Sequence, residues 1–594
     1  MPTVILTGLP VPGSPLAGEL RSLGFDVRPA AGPQDTAAVL AGVPADQRVA
    51  VVDSAFVGHV HALRLALTDP RFEACAVTGA LSVQPGARAA LDRAAALAPD
   101  GSGPYADRLA AAVEAAGATV QRPELGTLVA AVPATAEERD AASAAVAAVD
   151  DEAVRLRTAV KSRDGFFTTF FISPYSRYIA RWCARRGLTP NQVTTASLIT
   201  ALIAAGCAAT GERWGYVAAG VLLLVSFVLD CTDGQLARYS LQYSTMGAWL
   251  DATFDRAKEY SFYAGLALGA ARNEDDVWAL AVGAMVLMTC RHVVDFSFNE
   301  ANHDATANTS PTAALSDKLD SVGWTVWVRR MIILPIGERW AMIAVLTAAT
   351  TPRIVFYALL VGCAFGALYT TAGRVLRSLT RKARRTDRAA QALADLTDSG
   401  PLAELQARLL RGRAGTFGSV YVAALGALLM TGAALYLPFG DRRLIAVAVI
   451  YVMTAGLAVA APLKGALDWL IPPLFRAAEY VTVLALAAKA DVPGALPAAF
   501  GLIAAVAYHH YDTVYRIRGG TGAPPHWLVR TIGGHEGRVL LTTVLAAVLV
   551  GRASDFPVAL TVLAVFVALV VLAESIRFWV SSGAPAVHDE GEPA

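Results

Sequence analysis

Residues 1 to about 150 alternate short apolar runs with Ala-rich helical stretches. Val4-Ile5-Leu6 precedes a helix near Leu16 to Leu23, and Val49-Ala50-Val51-Val52 precedes one near His59 to Leu67; Ala76-Val77 leads into later helices. This βα alternation predicts a soluble three-layer α/β domain of Rossmann type. After a charged connector, the pattern turns aromatic and basic in FFTTFFISPYSRYIARWCARR, with Arg177, Arg181 and Arg185 at i, i+4 and i+8. That spacing predicts an amphipathic helix in a membrane interface, its basic stripe toward anionic headgroups. Gly187-Leu188-Thr189-Pro190-Asn191 stops that helix and starts the next. Long apolar stretches follow at 192–210, 214–239, 245–270, 276–297, 338–350 and 352–377, and a second set at 418–438, 442–460, 464–488, 494–515, 536–552 and 556–579. Each set predicts about six membrane spans. Between them, residues 381–414 read as a charged cytosolic helical linker broken at Ser399-Gly400-Pro401, and residues 581–594 as a disordered tail. The expected domains are therefore 1–150, 151–380, 381–414, 415–580 and 581–594.

Composition supports the membrane reading. Hydrophobic residues make up 55% of the 594 and charged ones 17%, with mean hydropathy +0.46. The net charge of +1 offers no case for nucleic-acid binding. Six scattered cysteines, without a CxxC pair, argue against a disulfide framework or a zinc site. MPTVILTGLPVPG lacks a positive n-region, so no cleaved signal peptide is expected. Both ends of the first six-span set are basic, with Arg374, Arg377, Arg381, Lys382, Arg384 and Arg385 closing it. An even span count then puts both ends, and the N-terminal domain, in the cytosol beneath the plasma membrane.

The candidate chemistry lies in DCTDGQLARYSLQYSTMGAWLDATFD, residues 230–255. Asp230 and Asp233 are spaced i,i+3, and Asp251 and Asp255 i,i+4, so each pair projects from one helix face at the end of an apolar span. Four carboxylates this close repel one another, and one or two divalent cations are the simplest way to hold them; oxygen ligands favour Mg²⁺ or Mn²⁺. Gly234 and Gly247 leave room for a nucleotide or metal at the backbone, and Arg238 can fork onto phosphate oxygens.

The spacing D-x2-D-G-x2-A-R-x8-G-x3-D-x3-D resembles the signature of the CDP-alcohol phosphatidyltransferase family, with Asp230, Asp233, Gly234, Ala237, Arg238, Gly247, Asp251 and Asp255 filling every fixed position. The resemblance covers about 160–380. It implies that Asp230, Asp233 and Asp251 are metal ligands, and that Asp255 serves a second metal and deprotonates the acceptor hydroxyl. That hydroxyl would attack the β-phosphorus of a CDP-linked lipid, such as CDP-diacylglycerol, and release CMP. It also implies a homodimer and places a Pro-Asn turn like Pro190-Asn191 near the nucleotide; simple helix initiation explains Asn191 equally well. Some members of the family carry a cytidylyltransferase ahead of the membrane part. Here TGLPVPG lacks the glycine-rich, arginine-containing loop of those enzymes, so a degenerate nucleotidyltransferase-like domain is expected, with Asp53 either a loop residue or helix cap or a ligand residue at a strand end.

An acceptor that is itself a phosphate calls for cations. Arg291, deep in an apolar run, and Arg374 and Arg377 are the candidates, against a structural pair with Asp295 or one of the four aspartates for Arg291 and plain cytosolic anchoring for the other two; Arg329-Arg330 and Ile336-Gly337-Glu338-Arg339-Trp340 resemble a feature of relatives that use polyol phosphates. His303-Asp304 reads as solvated. In the second set, Asp468, Arg476, Glu479, His509-His510-Tyr511-Asp512, Arg516, Arg518 and Gly533-Gly534-His535-Glu536-Gly537-Arg538 suit a second active or binding site, a buried ion-pair network or a headgroup-binding vestibule. The expected whole is a mainly α-helical polytopic membrane protein with an N-terminal α/β domain. Its expected role is a phospholipid-synthesis transferase with a hydroxyl acceptor; a lipid-binding or transport protein, or a bifunctional enzyme, is the competing reading.

Overall fold

Alternation along the first strands sends successive side chains to opposite faces, and in the computed structural model those faces carry two separate cores. The structure describes residues 2–69, 72–97, 101–161, 164–303, 333–380, 384–410 and 418–581. Asp304, Arg329, Arg330, Arg381, Lys382 and the tail after 581 lie outside them.

Strands β1 (Thr3–Thr7), β2 (Asp26–Ala30), β3 (Val49–Asp53), β5 (Ala74–Val77), β6 (Ala80–Val83) and β7 (Val120–Gln121) form a six-stranded sheet in the order β2-β1-β3-β6-β5-β7, and β4 (Val57–Gly58) pairs with β8 (Ala130–Ala131). Ile5, Val49, Val51 and Leu81 face helices α2 (Pro33–Ala41), α4 (Arg88–Leu97) and α5 (Tyr105–Ala115). Val4, Ala50 and Val52 face α1 (Leu16–Ser22) and α3 (Val60–Thr68). The sheet is mixed, because β6 runs antiparallel to both β3 and β5. The cause is Thr78-Gly79: with Gly79 at φ +77, two residues close a tight hairpin and leave no room for a crossover helix. Asp53 caps α5, accepting from the Tyr105 and Ala106 amides at 3.3 and 3.2 Å. Burial raises its carboxyl pKa, against those two hydrogen bonds.

Helices α6 (Ala136–Ala147) and α7 (Asp151–Thr158) lead to the amphipathic α8 (Ser173–Arg185). One side of α8 exposes Tyr175, Tyr178 and Trp182, as a lipid interface requires. Part of its basic stripe is used internally, since Arg181 and Arg185 each approach Glu152 of α7 at 3.5 Å.

The first helical set comprises α9 (Pro190–Ala209), α10 (Arg213–Ser240), α11 (Thr245–Arg272), α12 (Trp278–Asn302), α13 (Ile336–Ala349) and α14 (Pro352–Thr380). After it come α15 (Asp387–Leu396), α16 (Pro401–Leu410), α17 (Ser419–Tyr436), α18 (Arg443–Ala458), α19 (Ile471–Ala490), α20 (Ala495–Arg518), α21 (His526–Thr531), α22 (Gly534–Val548) and α23 (Phe556–Ser581). Among the described helices, seven are long and apolar enough to cross a membrane: Pro190–Ala209, Arg213–Ser240, Trp278–Asn302, Pro352–Thr380, Ser419–Tyr436, Asp468–Ala490 and Val550–Ser581. The chain is an integral membrane protein. Of the other expected spans, α13, α18 and α22 are short, and α11 and α20 are interrupted by polar residues.

Small residues set the packing beside the site. A side chain at Gly265 or Gly269 of α11 would strike the carbonyls of Ala205 and Ala208 on α9, a close backbone approach typical of small-residue helix pairs.

The two helical sets, expected as separate bundles, share one continuous apolar core. Trp278 meets Phe500 edge-on with centroids 5.7 Å apart, Phe298 meets Trp469 at 5.3 Å, and Trp249 stacks with Trp579 at 6.4 Å. The stretch read as a free linker is also packed. Leu393, Leu396 and Ala403 are buried, and a Cβ at Gly400 would strike the Gly533 carbonyl, as one at Gly534 would strike the Gly400 backbone.

Candidate active site

Helix α10 ends at Leu241, which takes φ 51, and α11 restarts behind the Ser244 cap, whose hydroxyl accepts from the Gly247 amide at 2.9 Å. This tight reversal brings the two aspartate pairs together. One oxygen each from Asp230, Asp233 and Asp251 lies within 4.8 Å of the others. Among the described residues, Asp233 Oδ2 is buried without a hydrogen-bond partner. Three carboxylates, one holding an orphaned buried oxygen, fit a hard divalent cation.

Asp255 is arranged differently. The ammonium of Lys258, wholly buried, is 2.8 Å from Asp255 Oδ1, pairs closely with Asp230 and lies 3.3 Å from Ser197 Oγ. It also sits 5.5 Å from the centre of the Trp340 ring. Lys258 thus clamps one carboxylate from each pair. Sequence reasoning missed it; its signal was a lone lysine three residues past Asp255, in a stretch that turns apolar.

These groups open onto a cavity of about 550 Å³, a volume suited to a small-molecule headgroup. Its lining includes all four aspartates, Gly234, Arg238 and Arg256, with Lys161 and Asp164 from the connector. Arg238 donates from Nε to the Ala159 carbonyl at 2.6 Å, so the connector fixes that guanidinium at the rim. Of the other nucleotide candidates, Asn191 lies against Gly247, where a Cβ would come within 2.7 Å of Asn191 Oδ1, and Ala237 is buried; Asn191, Ala237 and Gly247 are outside the lining.

The acceptor candidates lie farther back. Arg291 is buried and donates to the Ile333 carbonyl, while Arg374 pairs with Asp295, which does line the cavity. Arg377 is half-buried, and neither it nor Arg291 or Arg374 lines the cavity. Glu259 binds Arg339 at 3.2 Å, Arg256 at 2.8 Å and the Tyr263 hydroxyl at 2.6 Å, so Arg339 braces α11 against α13.

The polar residues of the second set pair with one another. Asp398 meets Arg538 at 2.7 Å, His509 at 3.1 Å and Arg476 at 3.3 Å, and Glu479 meets Arg476 at 2.8 Å and Arg538 at 2.5 Å. Asp512 pairs with Arg516 at 2.8 Å and accepts from Ser575 and Trp579 at 2.8 and 2.6 Å. Glu536 accepts from the Gly400 and Ala403 amides at 3.0 and 3.1 Å. These ion pairs tie the turn between α15 and α16 to the bundle.

Comparison with known proteins agrees with the site. Residues 187–366 match the CDP-alcohol phosphatidyltransferase family, and residues 387–594 match a family of unknown function. The chain is 32% identical over 115 residues to an archaetidylinositol phosphate synthase of Pyrococcus horikoshii, covering 19% of this chain and 58% of that protein. It is 34% identical over 123 residues to a phosphatidylinositol phosphate synthase of Mycolicibacterium smegmatis, covering 20% and 53%. It is 31% identical over 114 residues to a bifunctional IPC transferase and DIPP synthase of Aquifex aeolicus, covering 19% and 26%. The chain thus spans between about a quarter and three-fifths of the length of these relatives.

Proposed function

We propose that this chain, in which residues 187–366 are a CDP-alcohol phosphatidyltransferase domain, moves a substituted phosphate from a CDP-linked lipid to a hydroxyl of a polyol or polyol phosphate. The observation that carries the reading is the convergence of four aspartates on one cavity beside Arg238. Asp230, Asp233 and Asp251, with Asp255 toward a second site, would hold Mg²⁺ or Mn²⁺, which when bound offsets diphosphate charge.

The chain's own groups do the rest. Arg238 and Lys161 hold phosphate oxygens of the donor at the rim. Asp255 accepts the proton of the acceptor hydroxyl. The hydroxyl oxygen bonds to the β-phosphorus as the bond to CMP breaks, and CMP leaves with the electron pair. Lys258 keeps Asp230 and Asp255 at fixed separation, and such positioning supplies much of the rate.

The basic ends of the first helical set favour a cavity facing the cytosol at the plasma membrane, and a homodimer belongs to the same proposal. Purified protein in bilayers, given CDP-diacylglycerol, Mg²⁺ or Mn²⁺ and a panel of polyols and polyol phosphates, should release CMP. An absence of CMP with every acceptor would remove the reading, and crosslinking that finds only monomer would remove the dimer.

A further inference from the structure

The cavity that holds the aspartates is closed on another side by residues of the C-terminal unit: Tyr511, Tyr515 and Arg518 of α20. They are spaced i, i+4 and i+7, so they share one helix face. None belongs to the segment that matches the transferase family; all three fall within the segment of unknown function.

This wall is fixed against the reactive end of the site. The Arg256 guanidinium, next in sequence to Asp255, lies 5.1 Å from the centre of the Tyr511 ring. The Tyr511 hydroxyl hydrogen-bonds His292 Nδ1 on α12, and the Tyr511 and His292 rings meet edge-on at 5.7 Å. One turn and two turns farther on, Tyr515 and Arg518 reach the lining, and Arg518 sits 4.8 Å from the centre of the Phe296 ring. Asp295, beside Phe296, is paired with Arg374, so its charge is offset locally.

The donor diphosphate belongs with Arg238 and the aspartates on the α10–α11 hairpin. An in-line displacement brings the acceptor from the side opposite the leaving group, beside the general base. The α20 face lines the cavity beside Arg256, the sequence neighbour of Asp255, through Tyr511. A neutral alcohol has no need of a guanidinium there. An anionic acceptor entering a carboxylate-lined cavity does.

We infer that α20 forms the acceptor wall, with Tyr515 and Arg518 holding a phosphate group carried by the acceptor. The inference rests on the transferase reading above. It makes the C-terminal unit part of the active site and selects phosphorylated polyols over free ones.

The test uses the full-length protein in bilayers with CDP-diacylglycerol. The acceptors are glycerol 3-phosphate and inositol 1-phosphate, each beside its unphosphorylated alcohol. Wild type should turn over a phosphorylated acceptor and discriminate strongly against the free alcohol. Arg518→Gln should raise the acceptor KM by about 10- to 100-fold, the value of a charge-assisted contact, with the CDP-diacylglycerol KM within about twofold. Arg518→Lys should recover part of the loss, and Tyr515→Phe should cost several-fold in the same constant. An unchanged acceptor KM in Arg518→Gln, a fall in kcat alone, or equal increases in both KM values would overturn the inference while CMP release by wild type kept the transferase reading intact. Preference for free alcohols would also overturn it. If wild type releases no CMP at all, both fall together.

Discussion

Replacing Lys258 by Met tests the electrostatic design of the site directly. Methionine keeps an unbranched chain of similar length, so packing beside Trp340 is largely preserved while the charge is lost. Lys258 is wholly buried and holds two carboxylates, Asp230 and Asp255. Removing one partner of a buried ionic group costs about 3–5 kcal/mol, because the remaining charges stay buried without compensation. The lysine and a divalent ion neutralise the same carboxylates. The cost should therefore appear in full in a chelator and shrink by half or more in saturating Mg²⁺. Loss of the competing cation should also tighten the apparent Mg²⁺ affinity by about tenfold, equivalent to about 1.4 kcal/mol. Turnover should fall by about 100-fold, since Asp255 loses the group that positions it. Thermal unfolding in detergent, followed with and without chelator, and a Mg²⁺ titration of the same samples read these effects, with Lys258→Arg as the charge-retaining control. A melting curve in chelator that matches wild type, or an unshifted Mg²⁺ midpoint, would refute the reasoning.

Asp255→Asn should abolish CMP release while leaving the melting temperature within a few degrees of wild type, measured by a CMP-coupled assay beside unfolding. Gly269→Leu should prevent α9 and α11 from approaching, because its side chain meets the Ala208 carbonyl; monodisperse protein recovered at wild-type yield would contradict this. Asp398→Asn removes the acid shared by Arg476, His509 and Arg538 and should cost about 3–5 kcal/mol, read as loss of protection in α15 and α16 by hydrogen exchange. Burial holds the His61 pKa down to about 4. The unfolded chain takes up that proton below about pH 6.5 and the folded one only near pH 4, so stability is full above about 6.5 and falls by roughly 3 kcal/mol toward pH 4. Protection factors of the α3 amides, taken relative to the intrinsic exchange rate at each pH, should fall over that window, and His61→Gln should flatten the response.

The membrane helices and the aspartate pairs were legible because both signals are local. Apolar runs announce α9, α10, α12 and α14, and the i,i+3 and i,i+4 spacings put each acidic pair on one face. Thr78-Gly79 was legible only in retrospect, since a two-residue turn between short apolar runs looks the same as a strand leading to a helix. Lys258 could be placed beside Asp255 from its spacing, but its reach to Asp230 depends on how α10 and α11 cross. Tyr511, Tyr515 and Arg518 lie far along the chain from the signature, and no periodicity links them to it. The acceptor cations were sought by charge within apolar runs. That rule found Arg291, which donates to the Ile333 carbonyl, and Arg374, which pairs with the cavity-lining Asp295; Arg518, named among the polar residues of the second set, gave no sign of reaching this cavity, since its position at the end of α20 resembles ordinary anchoring.

The shared apolar interior has a consequence for how this protein can be handled and how it can vary. Among the described residues, Trp278, Phe298 and Trp249 find their aromatic partners in the later half. A chain stopped between α14 and α17 would present those rings, and the open flank of the aspartate cavity, to lipid. The halves are therefore not interchangeable modules. Expressed as two pieces, they would have to reassemble before either could be assayed, and a substitution at their seam should be answered by a change on the opposite side of it.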